Sequence, residues 1–350
     1  MKIRQLLPSI GAVLAVSLAG VSAHAGEITV ASWGGSFQAA QSKAIFQPVA
    51  KAMGITINEE SYKGIGQVRT KVAAGAVPWD IIDSGAGGAA RGCEEGILID
   101  LDYNIIDVSN FIPGTYLSCC VGTITYSTVP AWNTETYGMN GPRGWADFWD
   151  VKKFPGTRAY RANNVDGALE PALMADGVPP EKVYEVLATP EGKRRAINKI
   201  RELKPHIAVF WGSGAQQAQL MKDAEVDMST GWNGRFDNAK KDGAKVGYTF
   251  NQALLDYDCF AMPKGAPNKE VAMRFLAEVS KPQYQANLPF YITYGPTNRK
   301  AYEMTKAPKE LIESLPSHPK NVPLMLPVSL DWYAKHKNEA LELYMELMSE

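Results

Sequence analysis

The spacing of apolar positions changes from strand to helix within the first thirty residues of patterned sequence. In EITVASWGGSF (27–37), Ile28 and Val30 alternate with polar neighbours, the period of two expected of a half-buried strand. Past Trp33-Gly34-Gly35-Ser36 the period lengthens. Ile45, Val49 and Met53 are four apart and predict a helix over residues 38–53, kinked or restarted at Pro48. GITINEES (54–61) predicts a second strand, QVRTKVAAGAVP (67–78) a helix, and WDIIDSGAGG (79–88) a strand that runs into another glycine turn. Strand, loop, helix, strand, loop, helix, strand is the order of a mostly parallel α/β sheet. Ligands of such sheets bind at the carboxyl ends of the strands, where Trp33 and Ser84 both fall.

The middle of the chain repeats this plan. GWADFWDVKKFPG is aromatic and turn-rich, and helices are predicted near Leu169–Ala175 and over residues 180–203. AVFWGSGAQQAQLMKDAEVDMSTGWNG then reads as strand, glycine turn, helix and strand, ending in Trp232-Asn233-Gly234. LLDYDCFAMPKGAPNKEVAMRFLAEVS adds a strand and a helix with Val271, Phe275 and Val279 on one face. A last amphipathic helix starts at Asp331 and carries Trp332, Leu341, Tyr344 and Met348. Two α/β lobes facing one another across a cleft would bring Trp33 and Trp232, each beside glycine at a strand end, to opposite walls.

The first residues stand apart from this pattern. Lys2 and Arg4 precede an apolar run from Leu6 to Ala19, and Ala23-His24-Ala25 fits a small-x-small cleavage site, so residues 1–25 read as a secretory signal peptide cut after Ala25. The expected product is periplasmic. The whole chain has 36 Lys and Arg against 37 Asp and Glu, and losing Lys2 and Arg4 takes its formal charge from −1 to −3. That balance gives no general attraction to nucleic acid or to an anionic membrane. A mature chain of this length predicts two lobes rather than a single core. Export places four cysteines in an oxidising compartment. Cys93 with Cys119 is the preferred disulfide, both lying beside turn-like glycines in one half of the chain; Cys93 with Cys120 is the rival, and Cys259, in an apolar run, reads as a buried thiol.

Several chemistries lack their residues. Gly34-Gly35 is neither G-x-G-x-x-G nor a phosphate loop with its lysine. His206, His318 and His336 are scattered without metal-ligand spacing, so no metal or cofactor is expected. Ser213 lies between glycines without a nucleophile elbow and reads as a helix cap. No catalytic residues are assigned, which disfavours an exported enzyme.

Binding chemistry is better represented. Trp33 and Trp232 can stack on alkyl chains or hold an ammonium group, each contact worth roughly 0.5–2 kcal/mol. Asp256 and Asp258 flank Tyr257 in an apolar strand, so both carboxylates face one side. Glu170 is a third unexpected acid, either a ligand contact or a helix N-terminal carboxylate. SWGGSF, GWADFWDVKKFPG, VDMSTGWNGR, DYDCFAMPKGAPNKEVAMRFLAEVSKP and YGPTN together make the chain resemble periplasmic polyamine-binding proteins, the spermidine/putrescine-binding components of ATP-driven importers. The resemblance implies a type II periplasmic-binding fold, with lobe 1 at 26–127 plus 259–300 and lobe 2 at 128–258 plus 301–350. It also implies a two-strand hinge, a monomer, and delivery of a small amine to an inner-membrane ABC permease. Under it, Trp33 and Trp232 sandwich the ligand, Ser84 makes a polar contact, and Glu170 and Asp258 hold amino groups. Asp256 stands where polyamine binders tend to carry tryptophan, Gly34 and Gly35 replace larger side chains, and the tyrosines expected after Ser84 are missing. If Arg235 or Arg161 faces the cleft, the ligand is instead zwitterionic, such as 4-aminobutyrate or an opine-like conjugate. A protein that docks to a chemoreceptor would bind the same ligands.

Overall fold

The computed structural model describes residues 26–162 and 164–350; the signal-peptide reading of residues 1–25 lies outside the described residues. Eight strands form the path of one curled sheet: β1 (Glu27–Ser32), β2 (Thr56–Ser61), β3 (Ile81–Gly85), β4 (Cys120–Asn133), β5 (Arg158–Arg161), β6 (Ile207–Trp211), β7 (Met228–Trp232) and β8 (Leu254–Ala261). Their order is β2-β1-β3-β8-β4-β7-β5-β6, with four two- or three-residue strands attached at β4 and β8. The outer groups are parallel, as the strand–helix alternation predicts, but β8 runs antiparallel to both β3 and β4, and β4 antiparallel to β7.

The 14-residue β4 and the eight-residue β8 therefore link the two groups. The pairing of β4 with β8 slips between Asp258 and Cys259: Asp258 faces Ile124 and Cys259 faces Gly122, leaving Thr123 as the extra residue of a bulge. On one side of this crossing the core gathers Ile28, Val30, Phe46, Phe260 and Phe275; on the other it gathers Trp145, Tyr160, Leu173 and Tyr344. Burying each such side chain contributes about 1.5–3 kcal/mol.

Pro48 restarts its helix as the sequence allows. Helix α1 (Gly35–Gln41) passes through a π-turn at Ser42–Phe46 into α2 (Gln47–Met53), whose first turn holds the proline. The next helices are α3 (Ile65–Ala73), α4 (Ala86–Glu94), α5 (Leu169–Ala175), α6 (Pro190–Leu203), α7 (Gly214–Lys222), α8 (Asn233–Lys241), α9 (Lys269–Val279) and α10 (Leu330–Ser349). Ser213 caps α7, accepting from the Gln216 N–H at 3.2 Å. Helix α10 buries Trp332, Ala340, Tyr344 and Leu347 and packs against both α6 and α4, so it touches both groups of the sheet. Among the described residues, no helix is long and apolar enough to cross a membrane.

Cys93 is bonded to Cys119, tying α4 to the segment before β4. Cys259 is not the buried thiol expected from its apolar run. The antiparallel register of β4 and β8 brings its Cα to 5.7 Å from that of Cys120, and the two form a second disulfide.

Candidate functional site

The carboxyl ends of β1, β3, β5, β6 and β7 supply Trp33, Gly85, Arg161, Trp211 and Trp232 to the space between the two sheet groups. Trp33, Tyr126, Arg161, Asp166, Trp232 and Asp256 are each half-buried. They mark the candidate cleft.

Trp33 packs against Tyr62, ring centroids 5.2 Å apart, and its indole N–H lies toward Asp258 without completing a hydrogen bond. Trp232 meets Tyr126 edge-on at 6.3 Å and Trp211 at 5.4 Å. Asp256 and Asp258 are two residues apart and face the same side. Asp256 accepts from the Tyr126 hydroxyl at 3.0 Å and from its neighbour's N–H at 2.8 Å. Asp258, 6% exposed, is pushed well above the carboxylate range by burial, then by Asp83 and Asp256, against the pull of Trp33 and Arg235. Burial raises Asp256 to about 6. Glu170, in the first turn of α5, is fully buried and raised to about 7 by burial despite the hydroxyls of Tyr333 (2.6 Å) and Tyr184 (3.1 Å); its second oxygen has no partner.

Three placements differ from the sequence reading. Ser84 is 1% exposed and donates to the carbonyl of its own neighbour Gly85 at 3.1 Å, under the closely approaching Gly88 of α4. The room beside Gly35 is taken by the protein itself: at φ +58°, a Cβ there would stand 2.9 Å from Arg235 Nη1. Neither Arg235 nor Arg161 is an exposed surface arginine: Arg235 is buried and Arg161 half-buried. Arg235 is 4% exposed and reaches from α8 to the Gly34 carbonyl and the Ser36 hydroxyl, all at 3.4 Å, which closes the cleft across the two groups. The Arg161 guanidinium lies 4.8 Å from the Trp211 ring and 5.0 Å from that of Trp232, worth roughly 0.5–2 kcal/mol per contact, and burial lowers its pKa. Among the described residues, neither arginine pairs with a carboxylate, and both leave Nε without a partner.

Asp83, Tyr126, Asp166 and Lys337 were not found from sequence. Asp83, raised to about 7 by burial, accepts from Gln41 (2.7 Å) and Ser32 (3.3 Å) behind Asp258. The signal was present for Asp83 alone, as an acid two residues before a strand-end glycine. Asp166 follows β5 and is gripped by Lys337 of α10, whose Nζ lies 2.6 and 2.8 Å from its two oxygens. Burial opposes ionisation of Asp166, but Lys337 and then Arg161 hold it below its ordinary value. The arrangement presents several carboxyls with two cations whose donors are incompletely used, a site suited to a ligand carrying both signs of charge.

The model of the bacterial extracellular solute-binding protein family matches residues 44–317. A 4-aminobutyrate-binding protein ("gamma-aminobutyric acid-binding protein") of Pseudomonas aeruginosa is 38% identical over 323 residues, 92% of this chain and 90% of that one. The structure of MotA from Agrobacterium tumefaciens B6 in complex with glucopine superposes with a TM-score of 0.89 at 44% identity, covering 92% of this chain and 99% of that one. AgtB from A. tumefaciens R10, in complex with agropinic acid, gives 0.84 at 30% identity, with 93% and 99% covered. Polyamine binders are more distant: a spermidine/putrescine-binding protein of Haemophilus influenzae is 24% identical over 275 residues, 75% of this chain and 71% of that one. The type II periplasmic-binding fold stands, while the polyamine-specific resemblance holds only at a distance, and the chain belongs to the family of bacterial extracellular solute-binding proteins.

Proposed function

We propose that the protein is the periplasmic solute-binding component of an ABC importer and that its ligand is a zwitterionic amine, an ω-amino acid such as 4-aminobutyrate or a larger amino-acid conjugate, rather than a polyamine. The observation that carries this is the pair of arginines. A polyamine has nothing for Arg161 and Arg235 to bind, and two cations in the cleft would repel it. A carboxylate would occupy their free donors, while Asp258 and Asp256 take the ammonium group. Relatives named for 4-aminobutyrate, glucopine and agropinic acid support the same reading.

In this proposal Trp33, Gly34 and Gly35 form one wall, Trp232 the other, and Glu170 and Ser84 stand behind the acids. The lobes are residues 26–127 plus 259–300 and 128–258 plus 301–350, hinged where β4 and β8 cross. Micromolar binding needs about −8 kcal/mol. Two or three charge-assisted hydrogen bonds at roughly 1.5–3 kcal/mol each, with the aromatic contacts, reach that scale before ordering costs. The ligand favours the closed form because only there does Arg235 meet the loop after β1.

Titration calorimetry on the ligand-free mature chain, with putrescine, spermidine and 4-aminobutyrate in parallel, tests this. 4-Aminobutyrate is expected to bind at least tenfold tighter than putrescine, with a loss of about 10–100-fold in Arg235→Gln and in Asp258→Asn. Tighter binding of a diamine, indifferent to Arg235→Gln, overturns it.

A further inference from the structure

A diamine needs an anionic site at each end, and this cleft has the acids for two. Asp258 and Asp256 make one end. Asp166 is the other: it follows β5, five residues after the Arg161 that stacks on Trp232, its charge acts on Asp256, Tyr126 and Glu170, and its side chain keeps 39% of its surface open. That second place is already taken. The Lys337 ammonium touches both Asp166 oxygens at 2.6 and 2.8 Å and lies 5.7 Å from the Tyr333 ring centroid. The lysine side chain is only 12% exposed, and α10 packs along α6 and α4, so the ammonium is delivered by a long helix rather than a mobile loop. Tyr333, one turn before Lys337 on α10, fixes the same region by donating to Glu170.

We propose that Lys337 is a specificity-determining residue, a tethered ammonium group that fills the second cation position of the cleft and so excludes diamines. This rests on the zwitterion reading and extends it. Lys337 neutralises Asp166 from within, so a ligand need bring only one ammonium, and Arg161 beside the pair stays free for a carboxylate. Removing the ammonium would leave Asp166 a half-exposed carboxylate with Arg161 alone beside it, a place that the free end of a diamine can neutralise.

The experiment compares the affinity ratio of putrescine to 4-aminobutyrate in wild type, Lys337→Met and the double variant Lys337→Met/Asp166→Asn. The ratio is expected to rise tenfold or more in Lys337→Met and to return to within threefold of wild type in the double variant, which has no uncompensated acid. Thermal melting with and without putrescine is read alongside, since an unpaired Asp166 weakens the fold; putrescine should raise the midpoint of Lys337→Met and leave wild type unmoved. An unchanged ratio, a raised ratio that persists in the double variant, or no putrescine-dependent rise in the Lys337→Met midpoint overturns the inference. Wild type that prefers putrescine overturns the proposed function instead, and the two failures are read from different proteins.

Discussion

Arg235 reaches across from α8 to the loop after β1, and in the proposed reading it both bridges the two groups and selects the ligand. Its contacts with the Gly34 carbonyl and the Ser36 hydroxyl are long, at 3.4 Å, and it is desolvated without an acid to pair with. Its neighbours are fitted to it and to Trp232. A Cβ on Gly214 would stand 2.7 Å from the Trp232 ring and 3.0 Å from Arg235 Nε, so Gly214→Ala should displace both, weaken ligand binding about tenfold or more and cost about 1–3 kcal/mol of stability; parallel calorimetry and thermal melts check this. The raised carboxyls make a second prediction. Glu170, at about 7 when folded against an ordinary value near 4, keeps its proton between those limits while the unfolded chain gives its proton up. Its contribution therefore falls as pH rises from about 4 to about 7 and is flat above, with a slope of at most about 1.4 kcal/mol per pH unit. Wild type measured against Glu170→Gln should lose stability across that window and nowhere else. Carboxyls held low, such as Asp166 and Glu95, act in the opposite sense and below it. A bound ammonium would favour ionised Asp256, so binding near pH 6 should release protons, visible as a buffer-dependent heat. Of these residues, Trp33, Trp232, Asp256 and Asp258 were legible because a strand-end tryptophan beside glycine and two acids at a spacing of two are local signals. Asp166, Lys337 and the position of Arg161 were not, since each gets its role from a partner on a remote element.

At the scale of elements, the two crossing strands carry the most information. The bulge that leaves Thr123 extra sits between the Cys120–Cys259 bond and Asp258, and the Thr123 hydroxyl spans it to the Asp258 carbonyl at 3.1 Å. The disulfide ties the two strands on one side of the bulge, so in the proposed hinge bending is expected in the residues beyond it. Replacing both cysteines, Cys120→Ala with Cys259→Ala, should lower the melting temperature through the loss of roughly 2–4 kcal/mol and raise the rate of cleft opening. Differential scanning calorimetry and ligand dissociation rates read the two effects separately. Strands β1, β2, β3, β6 and β7 and most of the helices followed from the sequence pattern, whereas β5, α4 and α8 did not. The antiparallel centre did not: β8 reads as one more strand, and only its insertion between β3 and β4 reverses the local direction and brings Cys259 to Cys120.

For the whole molecule, fold and family were legible from strand ends, glycine turns and shared motifs, whereas the cargo was not. The strand-end tryptophans and the paired acids, within the motifs around them, carried the polyamine resemblance. In the proposed reading, the difference between a polyamine site and a zwitterion site rests on three cations, Arg161, Arg235 and Lys337, contributed by β5, α8 and α10. The strand order has a further consequence. The Tyr126–Asp256 bond joins positions 130 residues apart, and β8, the last of the eight path strands in the chain, lies between β3 and β4. Each half, β1–β3 and β4–β7, is contiguous in sequence, but the edges of β3 and β4 meet only through β8. The growing polypeptide therefore holds two open edges until residues 254–261 arrive, and joining the halves is expected to be a late step in folding.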